Sequence, residues 1–298
     1  MKKTVKIFLT FLLLGIYAFA LIFSQKYIEN YFFSFIAQPL FEIPQLKIPK
    51  DETKKPEIEA KAAISYKVGK REKILFKKNE KDVLPIASLT KLMTALISLE
   101  NYDLSDPIKI SKLAEKQDDV PNYGNLKEGE VFSVKKLLNL MLVYSSNDAA
   151  YALAEKMGVE KFVQKMNQKA KEIGMEKTIF FNPTGLKDGN LNLSTAEDLL
   201  KMINYILKER PEIFEMTKEK GIYDVQNSIF DVKILENQKL IGGKTGYLPE
   251  PEVGGCMIYI FENENGTLFI NIVLGTKSIE ERVNQIQKLV DWINYGKI

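Results

Sequence analysis

The order in which hydrophobic periodicities occur along the chain constrains its fold more than any other feature. Two short strand-like runs come first, AAISYKV and EKILFKK, with Gly69 between them. A long helix-period stretch follows, clearest at 134–144, 148–157, 159–173 and 195–208, punctuated by Pro121, Gly124, Gly174, Pro183, Gly185 and Gly189. Strand patterns return at 254–262 and 267–275, linked through Asn265-Gly266, and an amphipathic helix runs from 278 to about 294. Strands at both ends with helices between them predict one sheet closed by the two chain ends and a helical subdomain inserted between them.

Ahead of this pattern, Lys2, Lys3 and Lys6 precede Ile7–Phe23, seventeen residues without a charge. As a helix that run spans roughly 26 Å, at the short end for a hydrocarbon core of roughly 30 Å. A signal peptide cleaved after Ala18-Phe19-Ala20 and an uncleaved anchor both fit; Leu21, Ile22 and Phe23 continue the apolar run and favour the anchor. Residues 1–23 are therefore expected to form a single transmembrane helix in the cytoplasmic membrane, with the lysines inside and the rest of the chain exported. Residues 24–60, aromatic over Tyr27–Ile36 and then rich in proline and charge, read as an interfacial segment and linker, which leaves 61–298 as the globular domain.

Composition removes several function classes. The net charge is only +3 and no dense basic block suggests nucleic acid. A single cysteine, Cys256, excludes an intrachain disulfide and multi-cysteine metal sites. There is no histidine among the 298 residues, which removes Ser-His-Asp triads, Cys-His dyads and most zinc hydrolases. No metal and no cofactor is expected, and a serine hydrolase built on this chain needs lysine or a carboxylate as its base.

Three polar constellations stand out. Pro85 to Glu100 (PIASLTKLMTALISLE) reads as an apolar helix with Leu89, Leu92, Met93, Leu96 and Ile97 on a buried stripe. Ser88 and Lys91, three apart, share one face of it, where an amine could take the proton of a hydroxyl. In the first turn, Ser88 would also meet the positive end of the helix dipole. The pattern is short, and Ser133-Val134-Lys135-Lys136 repeats it, with Ser133 read as the N-cap of VKKLLNLMLVY. Tyr144-Ser145-Ser146-Asn147-Asp148 separates two helices and fits a C-cap, turn and N-cap. Gly242-Gly243-Lys244-Thr245-Gly246-Tyr247 leads into the first late strand; its glycines mark a tight turn or bulge, or admit a substrate backbone beside one lysine and one hydroxyl.

Taken in order, Ser-x-x-Lys, Ser-x-Asn and Lys-Thr-Gly resemble the motif set of the penicillin-binding proteins and serine beta-lactamases. IASLTKLMTAL, LKEGEVFSVKKLL, SSNDAAYALAE, GMEKTIFFNPTGL, LSTAEDLL and GGKTGY are similar to the D-alanyl-D-alanine carboxypeptidase branch. The resemblance implies an α/β fold, an antiparallel sheet flanked by helices with an inserted all-helical subdomain. It implies Ser88 as acylated nucleophile, Lys91 as its base, Ser145 as proton shuttle and Asn147 as a substrate-binding amide. Lys244, Thr245 and Gly246 would hold the substrate, the backbone N–H groups of Ser88 and Tyr247 would form the oxyanion hole, and Arg282 would bind a substrate carboxylate.

An ordinary lysine near 10.4 is neutral only roughly once in 2,500 molecules at pH 7, so burial and the charge of Lys244 are expected to push Lys91 down. The expected activity is a serine D-Ala-D-Ala carboxypeptidase acting on peptidoglycan stem peptides, with beta-lactam antibiotics and the cytoplasmic membrane as further partners. A D,D-endopeptidase, a beta-lactamase or an inactive cell-wall-binding protein could share the fold; the Glu-x-x-Leu-Asn string of class A lactamases does not occur between the second and third motifs. Departures from the branch are Ile241 in place of a frequent aspartate, a short stretch between Ser194 and Gly242, and Pro249-Glu250-Pro251 after the third motif. Where relatives carry a further C-terminal domain and anchor, this chain ends after its last helix, and Ile7–Phe23 is expected to do the anchoring.

Overall fold

A computed structural model describes residues 55–69, 72–117, 125–219 and 228–296. The expected transmembrane helix over residues 1–23 and most of the 24–60 segment lie outside these residues. Among the described residues no helix is long and apolar enough to cross a membrane.

Strands β1 (Ala62–Lys67) and β2 (Lys73–Lys78) open the fold as an antiparallel pair. A two-residue β3 (Leu84–Pro85) and a 3-10 turn at Ala87–Leu89 lead into α1 (Thr90–Asn101). The helical part continues through β4 (Pro107–Lys109), α2 (Lys112–Glu115), β5 (Val131–Ser133), α3 (Val134–Val143), α4 (Asn147–Glu155) and α5 (Val159–Glu172). Then come β6 (Leu193–Ser194), α6 (Ala196–Glu209) and α7 (Glu212–Thr217). Three long strands, β7 (Lys239–Leu248), β8 (Gly254–Glu262) and β9 (Leu268–Thr276), precede α8 (Ile279–Tyr295).

The main sheet runs β2-β1-β9-β8-β7, antiparallel at each pairing. The predicted closure of the sheet by both chain ends is the β1–β9 ladder, Ala62 opposite Leu274 through Lys67 opposite Phe269. Side chains alternate across a strand, so each face of the sheet meets a different core. On β8, Cys256, Ile258 and Ile260 join the helical core, whereas Met257, Tyr259 and Phe261 join a second core under α8 with Ile286, Leu289 and Val290. That second core also takes in Ile58 and Ala60, ahead of the Lys61 boundary read from sequence.

One element differs from the sequence expectation. Gly242–Tyr247 was expected to precede the first late strand, yet it is itself strand, because β7 pairs with β8 from Lys239 opposite Glu262 to Leu248 opposite Gly254. Glycine carries little intrinsic strand preference, and here the partner ladder overrides it.

Helix α1 is the centre of the helical part. Its five predicted apolar positions are all buried, but burial covers every residue from Thr90 to Ser98 rather than one stripe. Polar members of that run find buried acceptors: Thr94 Oγ1 donates to Pro183 O at 2.7 Å and Ser98 Oγ to Thr94 O at 2.8 Å. A helix buried on all sides needs such internal bonds, since an unpaired hydroxyl there carries its full desolvation penalty.

Candidate active site

The two Ser-x-x-Lys pairs fall into different surroundings. Ser133 caps α3, its hydroxyl accepting from Lys136 N at 3.3 Å. Ser88 makes no side-chain cap. It sits half-buried in the 3-10 turn that precedes α1, one step earlier than the first α-turn expected from sequence.

The residue before it, Ala87, has φ of +44°, a left-handed backbone that a residue with a Cβ rarely adopts. Strain of this kind, on the order of 1–3 kcal/mol, persists only where surroundings over-determine the chain. Here two glycines clamp the turn. A Cβ on Gly185 would stand 2.0 Å from Ala87 O, and one on Gly246 would stand 3.0 Å from Ser88 N. Only residues without side chains let the 182–186 loop and β7 approach from either side.

Lys91 follows Ser88 by one helical turn and is 0% exposed. Its Nζ lies 2.9 Å from Ser88 Oγ, 2.7 Å from Asn147 Oδ1 and 2.7 Å from the Thr184 carbonyl. Asn147 is delivered by α4, whose N-cap Ser146 accepts from Ala149 N at 3.1 Å. Ser145, just ahead, takes a left-handed φ of +62°, so the link between α3 and α4 turns sharply and aims its hydroxyl at β7.

On β7 the two-residue period decides which side chains face the helices. Lys244 pairs with Ile258 and Gly246 with Cys256, both on the helical-core face of β8. Lys244 therefore points toward Ser145, donating to its Oγ at 2.9 Å and to Thr245 O at 3.1 Å, while Gly246 leaves room for the Ser88 turn. Thr245 is half-buried and Tyr247, 37% exposed, stands at the rim. Arg282 of α8 donates Nη1 to Gly246 O at 2.9 Å and Nη2 to Ser228 Oγ at 3.3 Å. Its Nε is buried without a hydrogen-bond partner, and burial pulls its pKa down.

Ser88, Lys91 and Asn147 thus form one hydrogen-bonded cluster, Ser145 and Lys244 a second, and Arg282 is bonded to the same strand. Sequence reasoning missed the Thr184 carbonyl: Asn182-Pro183-Thr184-Gly185 carried a turn signal, but a backbone oxygen has no side-chain signature. It also missed Ser228, whose partner is 54 residues away in sequence.

With no histidine in the chain, two buried lysines are the amines available near Ser88 and Ser145. Burial first, and the charge of Arg282 second, push Lys244 down to about 7. Unfolded, the same lysine titrates near about 10.4. Below about pH 7 both states hold the proton and the folded state carries the full cost of a buried charge; between about 7 and about 10 the unfolded chain binds more protons, so folded stability rises with pH. Lys244→Met removes this dependence. In urea unfolding the stability of the parent relative to Lys244→Met should increase between about pH 6 and about pH 9; a pH-independent difference would show that Lys244 titrates normally.

Comparison with known proteins bears on the same stretch of chain. Residues 50–278 match the profile of the family described as D-alanyl-D-alanine carboxypeptidase. A D-alanyl-D-alanine carboxypeptidase of Bacillus subtilis is 33% identical over 236 residues, 74% of this chain and 58% of that protein, so the chain spans less than two thirds of this relative. A D-alanyl-D-alanine endopeptidase of Escherichia coli is 34% identical over 257 residues, 82% of this chain and 80% of its own. Penicillin-binding protein D2 of Listeria monocytogenes, solved in its cefotaxime-bound form, aligns with a TM-score of 0.67 at 30% identity, over 79% of this chain and 97% of that one. The profile match takes in all three motifs on one sheet-and-helix scaffold, and the chain belongs to the D-alanyl-D-alanine carboxypeptidase family.

Proposed function

We propose that this chain is a serine D,D-carboxypeptidase that removes the terminal D-alanine from peptidoglycan stem peptides through an acyl-enzyme at Ser88. The observation that carries the reading is the 2.9 Å contact between Ser88 Oγ and the Nζ of a fully buried Lys91, in a chain without histidine. Lys91 takes the proton of Ser88 as the oxygen attacks the carbonyl of the penultimate D-alanine. The oxyanion is received by the backbone N–H groups of Ser88 and Tyr247, a reading that the close approach of Gly246 to Ser88 N supports. Collapse breaks the peptide bond, and Ser145, hydrogen-bonded to Lys244, shuttles the proton held by Lys91 to the departing D-alanine nitrogen, which leaves Lys91 neutral to take a proton from the water that follows. Water then hydrolyses the ester. Asn147 binds the substrate backbone, and Thr245 and Arg282 hold the terminal carboxylate.

The same cluster supports beta-lactam binding, since a beta-lactam acylates the nucleophile that the peptide would. An endopeptidase reading has one specific support: the Escherichia coli endopeptidase matches over 80% of its own length, against 58% for the Bacillus subtilis carboxypeptidase. Release of free D-alanine from a monomeric stem peptide, against cleavage of a crosslinked dimer, separates the two.

We further propose that Ile7–Phe23 holds the chain in the cytoplasmic membrane with the folded part on the extracytoplasmic side. Seventeen uncharged residues behind Lys2, Lys3 and Lys6 support this.

Mass spectrometry after incubation with a penicillin should find one adduct, on a peptide containing Ser88 and not on one containing Ser133. Lys91→Arg, whose charge cannot be removed, should fold and fail to label; stoichiometric labelling of that variant would remove Lys91 from the role of base.

A peptide ending in D-Ala-D-Ala should be preferred to its C-terminal amide, and in Arg282→Ala that preference should fall by roughly 10- to 150-fold, the worth of one charge-assisted bond. A variant that keeps the full preference places the carboxylate on Lys244 and Thr245 instead. Full-length protein should sediment with membranes and resist extraction by high salt, because apolar burial is not screened by ions as surface charge is. Salt extraction would assign the attachment to surface charge.

A further inference from the structure

Beneath Ser88 lies a buried polar network that no motif predicts. The turn Asn182-Pro183-Thr184-Gly185 is wound around its own first side chain. Asn182 Oδ1 accepts from Thr184 N at 3.1 Å, Thr184 Oγ1 at 3.1 Å and Gly185 N at 2.7 Å, and Asn182 Nδ2 donates to Leu186 O at 2.9 Å. Both outward carbonyls of this turn serve α1: Pro183 O takes Thr94 Oγ1, and Thr184 O takes Lys91 Nζ at 2.7 Å.

The second contact has a consequence for the amine. A neutral lysine has two N–H bonds and one lone pair. Among the oxygens at Lys91 Nζ, the Thr184 carbonyl and Asn147 Oδ1 can only accept, so in the neutral amine that a base requires they take the two N–H bonds. The lone pair is then left facing Ser88 Oγ at 2.9 Å, the orientation in which it can receive the hydroxyl proton. Displacing the Thr184 carbonyl removes one of the two acceptors that hold the lone pair in that orientation.

What ties that carbonyl to Ser88 is Asn192, 1% exposed. Its Oδ1 accepts from Phe181 N at 2.7 Å and Asn182 N at 3.2 Å, and its Nδ2 donates to Asn182 O at 2.9 Å and to Thr90 Oγ1 at 3.0 Å. Its own carbonyl accepts from Ile86 N at 3.1 Å. One residue therefore binds the start of the 182–185 turn, the first residue of α1 and the segment just ahead of Ser88. A buried amide with its acceptor and donor capacity filled sets these three segments in a single register.

We propose that Asn192 is a positioning residue for proton transfer from Ser88 to Lys91, acting by locking the turn that carries the Thr184 carbonyl to the turn that carries Ser88. The inference rests on the reading of Ser88 as the acylated nucleophile. Asn192 touches neither the reacting oxygen nor the amine, so its effect belongs to the acylation step rather than to ligand affinity.

The test is the acylation of full-length protein by a penicillin over a concentration series, which separates the non-covalent Kd from the acylation rate constant k2. In Asn192→Ala, k2 should fall roughly 10- to 100-fold while Kd changes by less than about threefold and final labelling still reaches one adduct per chain. Thr90→Val removes only the hydroxyl that Asn192 holds; it should lower k2 by a smaller factor at unchanged Kd. Because both substitutions cut one tether, the double variant should be no slower than Asn192→Ala, which is non-additivity. If Asn192→Ala does not fold, Thr90→Val decides by the same split: lower k2 supports the inference and parental k2 overturns it. A parent that labels normally with k2 unchanged in the variants, or with a loss confined to melting temperature, overturns this inference alone. A parent that takes no label overturns the functional reading and this inference together.

Discussion

The close passage of β7 over the Ser88 turn is the constraint on which the site depends. Strand and turn come from distant parts of the sequence, and they meet with main chain against main chain, since a Cβ on Gly246 would lie 3.2 Å from Ile86 O and from Ala87 Cβ. Everything else follows from that approach. Lys244, two residues back on the same strand face, is carried inward to Ser145, and the Gly246 carbonyl accepts from the Arg282 guanidinium. A side chain at Gly246 would separate the sheet edge from the helical part and open both clusters together.

The absence of histidine sets the electrostatic problem that this geometry answers. A lysine in water keeps its proton at neutral pH, so an amine can act as a base only where water is excluded and further positive charge is near. Lys244 meets both conditions through burial and Arg282, and Lys91, the base of the proposed mechanism, is fully buried. Burying two amines and a guanidinium near one sheet edge is costly, and the cost is held down by aiming each at oxygens: Asn147 and Thr184 for Lys91, Ser145 and Thr245 for Lys244, Gly246 and Ser228 for Arg282. The strained backbone at Ala87 and Ser145 lies at the two nearby corners, where surrounding structure imposes conformations these residues do not prefer.

Much of the architecture was legible from periodicity because burial on one or two faces repeats along an element. The strand pair at the start, the four helices between 134 and 209, the two late strands and the closing helix were visible, with edges off by a residue or two, whereas the short helix Glu212–Thr217 was not. Elements that form only because a partner is present were not. β7 contains three glycines in a row of ten residues and looks like a turn until β8 is beside it. The two-residue pairs β3–β6 are too short for any period to register.

At the site, the sequence by itself determined the chemistry on offer: a hydroxyl and an amine one helical turn apart, a second amine in a glycine-rich run, an arginine on the last helix and no imidazole anywhere. Residue types and local spacing are written in the chain, so they can be read without coordinates. Ser133 already reads as a helix cap from the apolar helix behind it, and a cap is satisfied within its own turn; the tertiary structure alone decided how the Ser88 pair is completed, by Asn147 and Thr184 from elsewhere. It alone brought in the Thr184 carbonyl and the Asn192 amide, since a backbone oxygen is common to every residue and an asparagine gains meaning only from what surrounds it. Desolvation, which gives a lysine an unusual proton affinity, belongs to the packing of many segments together and to no single one of them.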